Sequence, residues 1–106
     1  MFGAIGRAAE RGIAVLVDGY VVAAAALALI RTYPVAAEYV LWSHCSQEQG
    51  HKAVLESVDA VALLDLEFRL GEATGALTAF PILELACAIH RKMATFDDAA
   101  VPNREG

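Results

Sequence analysis

Ile13-Ala14-Val15-Leu16-Val17-Asp18-Gly19-Tyr20 is the stretch whose reading decides the fold. Five consecutive apolar residues, three of them β-branched, fit a strand buried on both faces, the pattern of a parallel sheet. Asp18-Gly19 ends the run. Tyr20 to Arg31 then turns rich in alanine and leucine, which predicts a helix. Strand, tight turn and helix make half of a βαβ unit. Upstream, Phe2 to Arg11 reads as a short helix stopped by Gly12. Downstream, Thr32-Tyr33-Pro34 closes the second helix, because the residue before a proline avoids the α region.

Val35 to Glu38 reads as one helical turn, and Tyr39-Val40-Leu41-Trp42 as a second short buried strand ending in Ser43-His44-Cys45-Ser46. Gln47 to Val58 reads as a helix, with Ser46 as N-cap and Gln49 as a weak capping-box partner; Gly50 is a poor residue for its interior. Val61, Leu64 and Phe68 have helical spacing, so Ala60 to Phe68 is expected to be mostly helix. A last helix, from about Leu77 to Phe96, carries Ile82, Leu85, Ala86, Ile89, Met93 and Phe96 on one stripe, with Cys87 expected in the core and His90 as a solvated helix-end cation. Pro81 should kink this helix or mark its start. The polar tail 97–106 is expected to be loose. The fold class is therefore α/β, mostly helical, with two short parallel strands. Two such strands are not stable alone and need edge neighbours and covering helices, which makes residues 1–106 part of a larger α/β domain.

Composition supports that incompleteness. At 106 residues the chain is one small unit, yet 58% of it is hydrophobic, more than a surface this large relative to its core can hide. The net charge of −5, with only eight scattered basic residues, argues against a nucleic-acid surface. Cys45 and Cys87 make no disulfide framework and fit a reducing cytoplasm. The N-terminus lacks a signal-peptide pattern, since Arg7, Glu10 and Arg11 interrupt it. The one candidate membrane run, Gly12 to Ile30, carries Asp18 near its middle, so no membrane partner is expected.

Ligands of open α/β sheets sit beyond the carboxyl ends of the strands. Asp18-Gly19 and His44-Cys45-Ser46 both fall there. Asp18 is either a helix cap or an acceptor for a ligand hydroxyl or neighbouring loop; Gly19 would let a ligand approach the backbone. Ser46 is either an N-cap or a hydrogen-bonding partner for a carboxylate or phosphate at a helix N-terminus. His44, Cys45 and His51 match no strong metal spacing, and no metal is expected. A His44–Cys45 nucleophile pair fails because neighbours on a strand face opposite ways. Further along, Arg69-Leu70-Gly71-Glu72-Ala73-Thr74-Gly75-Ala76 sets a lone glutamate between two glycines before a helix. Gly71 and Gly75 read as a turn. Glu72 either favours the helix dipole or is the group the turn presents.

The run Leu63-Leu64-Asp65-Leu66-Glu67-Phe68-Arg69-Leu70-Gly71-Glu72-Ala73-Thr74-Gly75-Ala76 resembles the C-terminal signature of nicotinate-nucleotide–dimethylbenzimidazole phosphoribosyltransferases, usually LLDL-x-x-RLGEGTGA. Val17-Asp18-Gly19-Tyr20, the His44-x-Ser46-x-x-x-x-Gly50-His51 segment and Met93-Ala94-Thr95-Phe96 agree with it in order and spacing, so the resemblance covers nearly the whole chain. It implies the C-terminal part of a Rossmann-like, homodimeric, cytoplasmic enzyme that needs no cofactor. Such enzymes move phosphoribose from nicotinate mononucleotide to 5,6-dimethylbenzimidazole in making the lower ligand of cobalamin. It implies Glu72 as general base, removing the proton from one azole nitrogen as the other attacks; a partly apolar pocket would raise its pKa. It further implies Gly19 and Ser46 near the nicotinate nucleotide, and Arg69, Leu70, Gly71, Thr74 and Gly75 around the base. The family's phosphate-gripping part would lie upstream, so the chain by itself would be incomplete for turnover. A non-enzymatic remnant or small helical interaction module is the competing reading. Departures from the pattern are Ala73 and Glu67, each for a glycine, Phe68 for an aliphatic residue, and Ser43, Cys45 and Gln49 for glycine, arginine and proline. If the position of Ala73 needs φ > 0, alanine there is strained.

Overall fold

A computed structural model describes residues 1–67 and 73–93. Helix α1 (Phe2–Glu10) is followed by strand β1 (Val15–Val17) and helix α2 (Tyr20–Thr32). A 3-10 helix (Pro34–Tyr39) leads into strand β2 (Val40–Trp42), then helix α3 (Gln49–Ser57) and helix α4 (Thr74–Lys92). The strands pair in parallel, Val15 with Val40, Leu16 with Leu41 and Val17 with Trp42. This is the α/β arrangement that the alternation of apolar runs predicts.

Helix ends follow the chain's local chemistry. Gly12, at φ 70°, closes α1; its N–H donates to Ala9 O and the Ile13 N–H to Ala8 O, the paired bonds of a Schellman ending. The end of α3 repeats these bonds, Asp59 to Glu56 and Ala60 to Leu55, with Asp59 at φ 52° where glycine is usual. Pro34 sits in the first turn of the 3-10 helix, where its missing N–H costs nothing. Buried Ala23 and Ala26 let α2 lie close on the sheet, where Val17, Val40, Trp42, Leu29, Val54 and Leu55 form the core.

Three expectations need correction. Ala60 to Phe68 is not helical over its described part. The Leu63 N–H donates to Trp42 O, the Leu64 N–H to Ser43 O and the Cys45 N–H to Leu64 O, with His44 and Leu64 bridged in parallel. Burial alternates along Val61–Asp65, as on a strand. A spacing of three puts Val61 and Leu64 on one face of a helix but on opposite faces of a strand; the open edge of β2 selected the strand, leaving Val61 exposed and Leu64 half-buried. Second, α3 begins at Gln49, not Gln47, and Ser46 does not cap it; Glu48 occupies the N-cap with no side-chain bond. Third, α4 starts at Thr74 and runs through Pro81, which therefore does not mark its start. It ends at Lys92; residues 94–96 and the tail 97–106 lie outside the described residues.

Only Gly75 and Ala79 of α4 are buried. Leu77, Phe80, Leu85, Ile89 and Met93 are exposed, Leu85 by 61% and Met93 by 71%, and Cys87 is exposed rather than in the core. The radius of gyration, 16.4 Å, exceeds the ~13 Å of a compact chain this long. The amphipathic pattern of α4 is real, but its apolar side is not covered by the described part of this chain.

Candidate functional site

The carboxyl ends of the strands and the first turn of α4 converge. Ser43, one residue beyond β2, is locked to β1 by its N–H (3.0 Å) and its hydroxyl (2.6 Å), both donating to Val17 O. This fixes the spacing of the two tips. From the β1 tip, Asp18 extends to α4, where its Oδ1 accepts the Ala76 N–H at 2.9 Å. Asp18 does cap a helix, but a remote one: α2, which follows it directly, has Gly19 as N-cap and no side-chain cap bond. A carboxylate on an otherwise orphaned N–H at a positive helix end stabilises that end and sets its position.

His44, on the extension of β2, is buried, with Nε2 3.7 Å from Asp18 Oδ1. Gly75 explains how α4 comes so close. A Cβ built there would stand 2.7 Å from His44 Cγ and nearer still to Cδ2 and Nε2. Gly75 is helical and buried, and has no positive φ. The expected turn at Gly75 is thus corrected: this glycine is required by close packing against the imidazole.

His44 and His51 meet edge to face, ring centroids 5.7 Å apart at 81°. His51 lies in the first turn of α3 and is also buried. Its Nδ1 accepts the Ser46 N–H at 3.2 Å and lies 2.8 Å from Ser46 Oγ. The histidine reaches back past its own helix start, as a capping-box side chain does. Burial, with His44 alongside, pushes the His51 pKa below the usual histidine value; Glu48 and Asp18 oppose this weakly. Ala76, Asp18, His44, His51 and Ser46 thus form one continuous polar array across the strand tips.

Two concavities bear on where a ligand would sit. One, about 430 Å³, lies among Phe2, Gly6, Glu10, Leu29, Tyr33 and Tyr39 and is mostly apolar. The other, about 280 Å³, includes Ser46, Glu48, Lys52, Asp65 and Glu67. The second is the better candidate despite its size: it includes Ser46 of the polar array, and Glu67, also in its lining, is the last described residue before the stretch of sequence that contains Glu72.

Of the residues singled out in the sequence, Asp18, Ser46, Thr74 and Gly75 come to this array or its adjoining helix turn. Gly19 stands beside them with no described atom within 4 Å of its Cβ direction. Arg69, Leu70, Gly71 and Glu72 lie outside the described residues. The flanks of that segment are informative. Glu67 has φ 56° and Ala73 φ 61°, so two of the three positions where this chain departs from a glycine of the resembled pattern are left-handed, and Ser43 is not. The strain anticipated at Ala73 is present. Sequence reasoning missed the linking roles of His44 and His51. The signal is their spacing from Ser46, which the sequence reading takes as metal ligation, a nucleophile pair or part of the family segment, and not as a packing link. Among the described residues no group of three or more His, Cys, Asp or Glu could hold a metal ion, and no helix is long and apolar enough to cross a membrane.

A sequence profile described as phosphoribosyltransferase matches residues 1–101. A nicotinate-nucleotide–dimethylbenzimidazole phosphoribosyltransferase of Bradyrhizobium sp. (strain ORS 278) is 54% identical over 105 residues, which is 99% of this chain and 30% of that protein. The protein of the same name from Xanthomonas oryzae pv. oryzae (strain PXO99A) is 52% identical, covering 95% and 29%. The crystal structure of CobT from Thermus thermophilus superposes with a TM-score of 0.86 at 37% identity, covering 96% of this chain and 30% of that one. The chain spans about 30% of the length of these relatives.

Proposed function

The chain belongs to the phosphoribosyltransferase family, and from that premise we propose that it forms part of an enzyme moving phosphoribose from nicotinate mononucleotide to a 5,6-dimethylbenzimidazole-type base. The products are α-ribazole 5′-phosphate and nicotinate, in cobalamin lower-ligand synthesis. One observation carries the reading: Asp18 pins the first turn of α4, immediately after the Glu72 segment, to the strand tips where Ser46 stands. Substrates of open α/β sheets gather at such tips.

The chemistry needs little from the protein beyond placement and one base. An azole nitrogen lone pair forms the bond to C1′ of the ribose as the bond from C1′ to the nicotinate ring nitrogen breaks. The departing electron pair neutralises the pyridinium, so nicotinate leaves without acid help. The other azole nitrogen loses its proton to the Glu72 carboxylate, which prevents a doubly substituted cation from building up. Gly19 and Ser46 border the nucleotide; Arg69, Leu70, Gly71 and Thr74 shape the base pocket, and Gly75 seats the first turn of α4 on His44. No cofactor takes part in this scheme.

The remaining length of the enzyme, or a second copy in a homodimer, would cover the apolar side of α4. The two free thiols suit a cytoplasmic enzyme. The test is a chimera in which this chain replaces the matching segment of the Bradyrhizobium relative. It should form α-ribazole 5′-phosphate, and Glu72→Gln should remove most turnover while nicotinate mononucleotide still binds. Undiminished turnover in Glu72→Gln refutes the base assignment. A chimera that folds but neither binds the nucleotide nor turns over favours the non-enzymatic remnant.

A further inference from the structure

We propose that His51 fixes the Ser46 hydroxyl as a hydrogen-bond acceptor toward the crevice, so that Ser46 takes a donor, a ribose hydroxyl of the nucleotide, rather than an anionic group. The ligand named here rests on the function proposed above; the orientation of the hydroxyl does not.

The argument starts from proton counting at one nitrogen. The Ser46 backbone N–H donates to His51 Nδ1 at 3.2 Å. A ring nitrogen that accepts a hydrogen bond cannot carry a proton itself, so the neutral His51 has its proton on Nε2. Ser46 Oγ lies 2.8 Å from the same Nδ1. With no hydrogen on Nδ1, that contact is a hydrogen bond only if the serine hydroxyl donates. Both donors of Ser46, amide and hydroxyl, are therefore directed at Nδ1, where they share its one lone pair, in a site where serine and histidine are both buried. What remains on Oγ is lone-pair density. Burial of His51 and the neighbouring His44 favour the neutral ring this requires.

Ser46 thus cannot give a hydrogen bond to a carboxylate or phosphate without breaking one to His51. It is corrected from a candidate anion ligand to an acceptor. In nicotinate mononucleotide the carboxylate and phosphate are acceptors, and the ribose hydroxyls are the groups that can donate. The azole N–H is the other donor among the substrates, and Glu72 is assigned to it. His51 acts here as a positioning residue, through Ser46.

Two measurements test this. Long-range proton–nitrogen correlation on the 15N-histidine chain, which has only three histidines, should find His51 protonated at Nε2 and bare at Nδ1. A proton on Nδ1 overturns the inference. In the chimera, Ser46→Ala should weaken nicotinate mononucleotide binding about fivefold and leave the affinity of its 2′,3′-dideoxyribose analogue unchanged. An equal loss for both ligands, as a purely structural or anion-binding serine would give, also overturns it. If the Nε2 tautomer is found but the unsubstituted chimera binds no nicotinate mononucleotide, the ribose assignment falls together with the proposed function. An Nδ1 proton in a protein that binds the nucleotide refutes this inference alone.

Discussion

Gly75→Ala should destabilise the protein even though alanine is the better helix former. On propensity alone the change in a helix gains about 1 kcal/mol. Against this, the new Cβ would lie 2.7 Å from His44 Cγ and closer to two other ring atoms. His44 is buried and its backbone is bridged to Leu64, so the ring has little room to withdraw. Overpacking of this kind costs about 1–3 kcal/mol. If α4 backs away instead, the bond from the Ala76 N–H to the Asp18 carboxylate is lost, at about 1.5–3 kcal/mol. Set against the propensity gain, either outcome leaves a net loss of about 0.5–2 kcal/mol. Urea denaturation of the chain and its variants at one concentration, followed by circular dichroism, measures it. The control is His44→Ala: once the ring is gone, Gly75→Ala should become neutral or favourable, a coupling of about 1–3 kcal/mol. Gly50→Ala makes a second contrast. Its Cβ would approach Tyr20 Cζ to 2.7 Å, but that ring is 42% exposed and can swing out, so this change should be nearly neutral. If Gly75→Ala is neutral or stabilising with His44 present, the close seating of α4 on the histidine is refuted.

Ala73→Gly and Glu67→Gly should each stabilise the chain by about 0.5–1 kcal/mol, because a left-handed L-residue costs about 1–2 kcal/mol and glycine returns part of this as unfolded-state entropy; unchanged urea midpoints for both would contradict the strain. The His51 pKa is lowered on folding, so the unfolded chain binds the extra proton first. Its contribution is complete above the ordinary histidine value near 6.5 and is lost as pH falls below it toward the folded value. Stability measured between about pH 6.5 and 5.5 should therefore decline, and His51→Asn should flatten that slope. The exposed apolar side of α4 should make the chain alone self-associate; sedimentation should show this reduced in a Leu85→Lys, Ile89→Lys variant and unchanged if α4 is not the contact surface.

Much of this fold could be read in the chain, and the misreadings share a cause. Ile13 to Val17 and Tyr39 to Trp42 were legible because continuous β-branched and apolar runs admit few alternatives. Gly12 was legible as a stop because a glycine after a helical pattern has one common use. Residues 60–67 were not, since their conformation is set by the open edge of β2 and not by their own spacing. At the site, Asp18 was recognised as either a cap or an acceptor, and it is a cap of a helix 58 residues away. No local pattern shows such a partner. Ser46 looked like an N-cap by its position before a helix, but His51 captured both of its donors. Gly75 was given a glycine's commonest role, a turn, where the actual constraint is an embedded neighbour that becomes visible only when β2 and α4 meet. The apolar stripe of α4 was legible as a pattern, but the described residues do not bury it: Ile82, Leu85 and Ile89 are exposed.

The central claim is that nucleotide and base meet beyond the tips of β1 and β2, with the Glu72 carboxylate turned toward them. A crystal structure of the chimera with nicotinate mononucleotide and a benzimidazole tests it most directly. The account predicts the ribose beside Ser46 and Gly19, with a Glu72 oxygen within hydrogen-bond reach of the azole nitrogen. A nucleotide seated instead among Gly6, Leu29 and Tyr39, or a Glu72 side chain directed away from the azole, would contradict it.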